Sequence, residues 1–580
     1  MSQEKRKKLF KQAFVSLHGL GKRVFRFFVS RRELSFVILL TIISAAMQIS
    51  FSLSTWGTIH PDEIFQSLEI AHDIVYGYGT IPPEFQESNP VIPSYAKSRS
   101  FLFPIIFTIP MYLGKLFGWN YWCFTIPLIR ILLGINGSLL APSTYVLVKR
   151  YTKGKKAFAS ASALIITFSP LLMFTSFRSV SNIFFLPWFF FIINSFWKTL
   201  ENLQKENGDE SQRKLKMSRS FRSYLKIIVL SFFIGLIIYI RIDFIIGLIA
   251  TLVFKFPYKK IKVIACNFLG LGLAALFGGL VDFITYGDFL ISPIQWFRYN
   301  VLEGLSATHG VQPVTFYLDS LFSYIPLIIF LVFCALVVLG TLVYAACKYI
   351  KYKEKNWILL RNICGFPAAS MIIIALFSIP SHKEFRFVYL GFIYLHVSLV
   401  ISLSLFFQVF SPKICAYSTK LFTKITRKTE SAKISRIFNI TFLTLVLLLI
   451  VSGGAISSYQ GSQMYDWKAY DSLARSLWYV GQIDDSNGVL LFTQGSLMNS
   501  YFYLHKDIPL DELVNFWESF RIRIIIKDYA KENETFNYVI FSIYQIAATP
   551  YIVDALIEYN YVLNHSINEI AFVYKFNQTA

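Results

Sequence analysis

The chain has 580 residues, of which 55% are hydrophobic, 17% aromatic and only 16% charged. Apolar blocks of ~17–25 residues recur along it, the length a bilayer demands, and this excludes an ordinary soluble globular protein. The net charge of +22 does not point to nucleic acid, because the cations fall in short pieces between apolar runs, the pattern of cytosolic loops.

In chain order, residues 1–33 form a basic segment, MSQEKRKKLFKQ through VSRRE, which the positive-inside rule keeps in the cytosol. The first apolar run, 34–53, is of spanning length and lacks a small-residue cleavage site, so it reads as a transmembrane helix and not a removable signal. Residues 56–120 then form a loop on the far side, carrying HPDE at 60–63. After Asp62 the apolar residues Ile64, Leu68, Ala71 and Val75 step by four, three and four. That spacing predicts an amphipathic helix lying on the membrane surface, with Gln66, Glu69 and Asp73 on its polar face. Pro61 is suited to start this helix, and Asp62 and Glu63 to its positive N-terminal end.

Residues 101–117 are apolar but short, and they hold Pro104, Pro110 and Lys115. They are expected to form an interfacial helix, because counting them as a span would put KRYTKGKK on the far side. With that choice every later basic loop becomes cytosolic, including the long one at 198–226. The expected spans are 35–54, 121–147, 157–176, 181–197, 225–240, 243–256, 261–281, 321–349, 358–379, 386–410 and 438–456, about eleven transmembrane helices within a catalytic unit at 34–456. An odd count sends residues 457–580 to the lumen. This tail holds eight Lys and Arg against 14 Asp and Glu, a net of −6 within a chain of +22, which leaves +28 on the first 456 residues. It carries NET, NHS and NQT at Asn533, Asn564 and Asn577, glycosylation acceptors in a lumenal domain. Within it GVLLFT, RIRIIIKDY, NYVIFSIY and EIAFVYKF read as strands and 551–564 as a helix, a small α/β domain. The six cysteines show no metal or redox spacing and read as packing residues.

This orientation collects HPDE, FRSVSN (177–182), Arg241 with Asp243, the loop 282–319 and PSHKEFRF (380–387) on one face. Charged groups at helix ends beside a membrane are costly to bury, so their collection marks a candidate site. Each piece alone has a plainer reading: a capped helix start, an interfacial anchor pair, or a charged turn that snorkels to the headgroups.

IHPDEIFQSLEIAHDIVYGYG resembles the first lumenal loop of the endoplasmic-reticulum mannosyltransferases that use dolichyl-phosphate mannose, glycosyltransferase family 22. RSFLFP (99–104), FRSVSN, YIRID, VDFITYGDF with the following Tyr299-Asn300, and SHKEFRF are similar to further family segments, in family order across residues 60–387. The chain departs where Ile183 and Phe184 follow Asn182, and where TQGSLMNSYFYLH keeps His505 but lacks the family's cysteine and Thr-Pro. The resemblance implies a polytopic α-helical membrane protein of GT-C type in the endoplasmic reticulum membrane, N-terminus cytosolic and C-terminus lumenal. Its implied reaction is a single inverting transfer of mannose to a glycolipid acceptor, the third or fourth mannose of a GPI-anchor precursor, with lipid-linked N-glycan assembly as the alternative. Asp62 or Glu63 would be the catalytic base. His60, Gln66, Arg99, Arg178, Asn182, Asp282, Tyr286 and Glu384 would serve substrate binding. Arg241, His382, Lys383 and Arg386 would neutralise the departing phosphate, so no metal and no cofactor is expected. A transporter is the rival from another class, although its site would lie near the midplane and between repeated halves. A non-catalytic assembly subunit is a third reading.

Overall fold

The computed structural model describes residues 32–58, 60–151, 156–206, 213–253, 261–317, 369–395, 465–493, 500–514, 535–542 and 551–577, with a few isolated positions between them. Among these, five helical stretches are long and apolar enough to cross a membrane: Glu33–Ser54, Tyr121–Arg150, Ser181–Leu203, Ser220–Ile240 and Ile261–Tyr286. Each coincides with an expected span. The expected spans at 321–349 and 438–456, the basic N-terminus and most of 386–410 lie outside the described residues.

Small residues let these helices approach closely, as they must where lipid supplies no hydrophobic drive between them. A Cβ on Gly134 would sit 2.8 Å from the backbone of Ile49 on the first helix, and one on Gly270 only 2.4 Å from the carbonyl oxygen of Ile228. The expected span at 157–176 is broken. It forms Lys156–Phe168 and then Pro170–Thr175, because Pro170 has no N–H for the helical ladder and starts a new turn instead. The expected long loop at 198–226 is largely helix, since Leu186–Glu206 and Arg213–Ile240 run on past their apolar parts. Lys, Arg, Glu and Gln are good helix formers outside a membrane as well as cytosolic markers.

Residues 101–117 form the helix Leu102–Leu116, fifteen residues and shorter than the five candidate spans. Phe103, Phe107 and Met111 are buried on one side of it, while Ile109, Tyr112 and Leu116 stay exposed. Lys115 Nζ donates to the Val75 carbonyl at 2.6 Å, which ties this helix to the end of the helix Glu69–Tyr76.

The tail builds a five-stranded sheet in the order β2-β1-β3-β5-β4, from β1 (Val489–Thr493), β2 (Leu510–Val514), β3 (Tyr538–Ser542), β4 (Tyr561–Ile567) and β5 (Ala571–Phe576). β2 and β3 run parallel to β1, while β5 is antiparallel to β3 and β4 to β5. β1 and β3 are buried along their whole length, which explains their unbroken apolar sequences. The helix Tyr465–Gly481 covers one face through Leu473, Leu477 and Val480. On the other, Ile552, Ala555 and Leu556 of the helix Tyr551–Glu558 pack on Leu490, Phe492, Val539 and Phe541. The first of these cores is continuous with the one around Ile64, Leu68 and Ile129, so sheet and helical body share apolar packing.

Two expectations for the tail change, and one strand is new. RIRIIIKDY is helical where it is described, at Ile524 and Ile526–528; Ile526 is buried and Ile524 exposed, a one-sided burial that its apolar composition conceals. The helix expected over 551–564 ends at Glu558, turns through Asn560 at φ +66°, and gives way to β4. β2 had no strand signal, since LDELV mixes charge with apolar residues at the sheet edge.

Candidate functional site

The loop after the first helix is pinned before it reaches HPDE. Arg130, itself buried, donates to the carbonyls of Thr55 at 2.9 Å and Trp56 at 3.2 Å and to Tyr503 Oη at 2.7 Å. Pro61 begins a helical turn at Asp62 that widens to π geometry over Ile64–Leu68 before becoming α-helix at Glu69–Tyr76. Such π turns recur at functional positions.

Ile64, Leu68, Ala71 and Val75 are buried as the spacing predicts, but Gln66 and Glu69 are buried too. This corrects the expected polar face: protein surrounds Gln66 and Glu69, while Asp73 is half-buried and Ile74 exposed. Gln66 donates to Glu84 at 2.9 Å. The Glu69 carboxylate takes N–H groups from Thr80, Tyr501 and Phe502 and the Ser500 hydroxyl, all at 2.7–3.0 Å.

The two adjacent carboxylates part ways. Glu63 turns inward, its Oε1 accepting the His60 N–H at 3.1 Å and its Oε2 pairing with Arg178 at 3.1 Å, with both side chains almost fully buried. Arg178 also donates to the Gly57 carbonyl at 2.5 Å, and Ser179 donates to the Glu63 carbonyl at 2.5 Å. FRSVSN therefore anchors the HPDE turn. Asp62 turns the other way, to Arg386 Nη1 at 2.5 Å and His60 Nδ1 at 3.3 Å. Glu384 completes a ring of alternating charge, pairing with Arg386, with His60 at 3.3 Å and with His382 at 2.8 Å.

Electrostatics follow from that ring. Burial would raise the Asp62 carboxyl, but Arg386 and His60 outweigh it and hold Asp62 well below the usual carboxylate range. Burial likewise works against Glu384, and Arg386, His382 and His60 hold it ionised. Burial would lower His60, yet Asp62 and Glu384 push it up to about 9, so it is an imidazolium at neutral pH.

Arg241 lies beside this ring. It is buried, it pairs with Asp243 at 3.1 Å through Nη2, and Asn182 donates to the same carboxylate oxygen at 2.7 Å. Its Nε and Nη1 have no hydrogen-bond partner among the described residues, a costly state for a buried guanidinium that calls for an anion. Arg241 feels the positive charges of Arg99 and Arg386, and Arg99 acts on Asp62 as well. Three guanidinium groups thus converge near one carboxylate.

Asp282 and Tyr286 support the site from outside the ring. Asp282 accepts the Tyr239 hydroxyl at 2.7 Å and the Ser292 N–H at 2.8 Å, and Tyr286 donates to the Arg99 carbonyl at 2.7 Å. Lys383 is not brought to the ring: its Nζ donates to the carbonyls of Gln312 at 2.9 Å and Pro380 at 2.5 Å. The sequence reading missed Glu84, His72 and Arg130, buried polar residues whose partners, such as Tyr503 for Arg130 and His505 for His72, only the fold brings near.

Comparisons with known proteins bear on the family and the fold. The model of the Alg9-like mannosyltransferase family matches residues 38–473. The GPI mannosyltransferase 3 of Trypanosoma brucei brucei is 23% identical over 367 residues, covering 58% of this chain and 60% of that protein. The protein of the same name from Candida albicans is 26% identical over 342 residues, covering 59% and 58%. The chain thus spans about three-fifths of the length of these curated relatives. Among solved structures, ArnT from Cupriavidus metallidurans bound to undecaprenyl phosphate aligns with a TM-score of 0.51 at 11% identity, over 93% of this chain and 97% of that one, so the two share a fold. Since the family match runs from within the first candidate span to the helix that precedes the sheet, the chain belongs to the Alg9-like mannosyltransferase family.

Proposed function

We propose that the protein transfers mannose from dolichyl-phosphate mannose to a glycolipid acceptor at the lumenal face of the endoplasmic reticulum membrane. The acceptor is read as a GPI-anchor precursor and the position as its third mannose, in keeping with the names of the relatives. The observation that carries the reading is the ionised Asp62 held by Arg386 and His60 next to Arg241, whose Nε and Nη1 lack partners among the described residues. It pairs a proton acceptor with open cationic donors, the two things this reaction needs. The undecaprenyl phosphate bound by ArnT, which shares the fold, is a lipid phosphate of the same chemical class as the leaving group proposed here.

In this mechanism the acceptor hydroxyl oxygen attacks the anomeric carbon from the face opposite the phosphate. The new C–O bond forms as the bond from that carbon to the phosphate oxygen breaks, and dolichyl phosphate leaves with the electron pair. The hydroxyl proton passes to Asp62. A carboxylate of low basicity suffices, because the hydroxyl becomes strongly acidic as its oxygen bonds to carbon. Arg241 and Arg99 meet the phosphate as its charge grows, through charge-assisted hydrogen bonds in a largely buried setting. Charge neutralisation by arginine is why the transfer is read as metal-independent.

The test is transfer of radiolabelled mannose from dolichyl-phosphate mannose to glycolipid in microsomes containing the full chain. Wild-type protein should support it and Asp62→Asn should not. Full turnover by Asp62→Asn would place the base elsewhere, with Glu63 next in line, and no transfer by the wild-type protein would overturn the reading.

A further inference from the structure

Arg241 and Asp243 form the turn between the helix Arg213–Ile240 and the helix Phe244–Val253, where the Phe244 N–H bonds to the Arg241 carbonyl at 3.1 Å and the Ile246 N–H to the Asp243 carbonyl at 3.2 Å. An aspartate at a helix start ordinarily caps it, its side chain accepting an N–H two or three residues on. Asp243 is put to other use. Its Oδ2 takes Arg241 Nη2 at 3.1 Å and Asn182 Nδ2 at 2.7 Å, while Oδ1 has no hydrogen-bond partner among the described residues. The pairing with Arg241 is single, although two parallel bonds would have satisfied Oδ1 and a second guanidinium N–H together.

Asn182 adds another open acceptor. The paired Asp243 oxygen can only accept, so the amide presents its nitrogen there and turns Oδ1 elsewhere. That oxygen too is without a partner among the described residues. Asn182 and Arg241 are buried, and the Asp243 side chain is 8% exposed. The turn therefore buries two open acceptors, Asp243 Oδ1 and Asn182 Oδ1, with two open donors, Arg241 Nε and Nη1. Four such atoms are costly to leave dry. A phosphate can answer only the donors, because its oxygens accept; the acceptors call for hydroxyl hydrogens. A sugar joined to a phosphate brings both in one ligand.

Packing places this cluster at the site. The helix Ser181–Phe184, which carries Asn182, packs against the turn Phe385–Val388, which carries Arg386, and Arg386 pairs with Asp62. Earlier in the same segment, Ser179 donates to the carbonyl of Glu63, the neighbour of Asp62, at 2.5 Å.

Building on the mannosyltransferase reading, we infer that Asp243 and Asn182 form the subsite for the sugar being transferred, while the Arg241 beside them meets its phosphate. Asp243 Oδ1 receives the hydroxyl on the carbon next to the anomeric carbon, and Asn182 Oδ1 a further hydroxyl. Asp243 shares its carboxylate with Arg241 just as that hydroxyl's carbon is bonded to the one bearing the phosphate, which sets the order. The substrate class is a lipid-linked sugar phosphodiester with a free hydroxyl beside its anomeric carbon. Positive charge grows on the anomeric carbon as the phosphate leaves, so the bond from this hydroxyl to a carboxylate strengthens in the transition state. A sugar lacking the hydroxyl would leave Oδ1 buried and unmet, which is the basis of discrimination.

The experiment is a double-mutant cycle on full-length protein in detergent, with the glycolipid acceptor held constant. Wild type, Asp243→Asn and Asn182→Ala are each given dolichyl-phosphate mannose and dolichyl-phosphate donors whose sugar lacks one hydroxyl. Arg241 and Asn182 both donate to one Asp243 oxygen, so the amide of Asp243→Asn keeps its oxygen there and offers an NH₂, which cannot take the hydroxyl's hydrogen. This variant should lower the ratio of kcat/KM for mannose over that for the 2-deoxy sugar by about 10- to 100-fold. The loss on the mannose donor should fall on kcat as well as on KM. Asn182→Ala should lower the ratio for a different deoxy donor. Each ratio is taken on one preparation, so partial unfolding cancels from it, as does the intrinsic reactivity of each donor between wild type and variant. Equal losses on the mannose and 2-deoxy donors would make Asp243 a structural residue and overturn the subsite, with the transfer reading intact. Absence of transfer from dolichyl-phosphate mannose by wild type removes the underlying reading instead, and the subsite with it.

Discussion

His72 Nε2 lies 2.9 Å from His505 Nδ1, joining the helix that follows Asp62 to a turn 433 positions later in the chain. Tyr121 stacks on His505 with centroids 3.5 Å apart and planes at 10°, and His505 holds a left-handed backbone at φ +44°. The sheet-bearing tail is therefore clamped to the element that positions Asp62.

That clamp should loosen in acid. Burial lowers His72 to about 3 and His505 to about 4, so both are neutral in the folded protein at neutral pH. An unfolded chain takes up protons near pH 6.5 while the folded one does not, so the contribution is fully present above about 6.5 and declines as pH falls toward 4. His505→Asn keeps a residue that tolerates the left-handed backbone and removes one titrating group. Thermal midpoints measured from pH 7 to pH 4.5 should fall less steeply for this variant than for wild type; parallel curves would show that other groups set the acid limb.

Glu69 should matter as much for stability as any residue in the loop. Its carboxylate accepts three backbone N–H groups and the Ser500 hydroxyl, and Glu69→Ala would leave them buried without an acceptor. The cost should be on the order of 3 kcal/mol or more. Asp73→Ala, on the same helix but half-exposed, should stay within about 0.5 kcal/mol. Urea or heat unfolding in detergent, followed by tryptophan fluorescence, separates the two.

Much of this was legible in the chain, and the reasons differ from element to element. The five candidate spans follow from length and hydropathy, and Asp62 and Arg386 could each be marked as polar residues at helix ends. Their contact could not, because a separation of 324 positions leaves no local trace. Nor could the division of labour between Asp62 and Glu63, which depends on which way each side chain leaves one turn of helix. The polar face of 64–75 was misread because Gln66 and Glu69 look identical in sequence whether water or a buried amide satisfies them. β4 was misread because its pattern, one buried residue followed by five exposed ones, belongs to an edge strand and carries no alternation.

Labelling tests the orientation. With the N-terminus in the cytosol and Leu102–Leu116 interfacial, cysteines placed at exposed Val91 and exposed Asn120 should both react with an impermeant reagent from the lumenal side only. A glycosylation reporter fused after residue 580 should be modified. Reaction of Val91 and Asn120 from opposite sides would make Leu102–Leu116 a span and reverse every loop after it.

The ring around Asp62 predicts different failures for its members. Asp62→Asn keeps shape and a hydrogen-bonding oxygen for Arg386 but cannot take the acceptor's proton, so turnover should fall by about 10²–10⁴-fold with donor affinity little changed. Arg386 pairs with both Asp62 and Glu384, so Arg386→Ala should lose turnover as well as donor affinity, because two buried carboxylates are left facing each other across His60. Arg241→Met should act mainly on the donor. It removes the Nε and Nη1 groups that have no partner in the described protein, and the loss of one charge-assisted contact to phosphate is worth roughly 1.5–3 kcal/mol, about 10- to 150-fold in donor KM. Its kcat should change less than its KM. His60 adds a pH signature: held at about 9 when folded against 6.5 when free, it supports the ring fully below about pH 6.5 and progressively less as pH rises through 9. Transfer rates and thermal midpoints should therefore both decline on the alkaline side, and His60→Gln should flatten that decline while lowering the plateau. An Arg241→Met enzyme with normal donor KM would move the phosphate away from Arg241 and leave Arg99 and Arg386 to hold it.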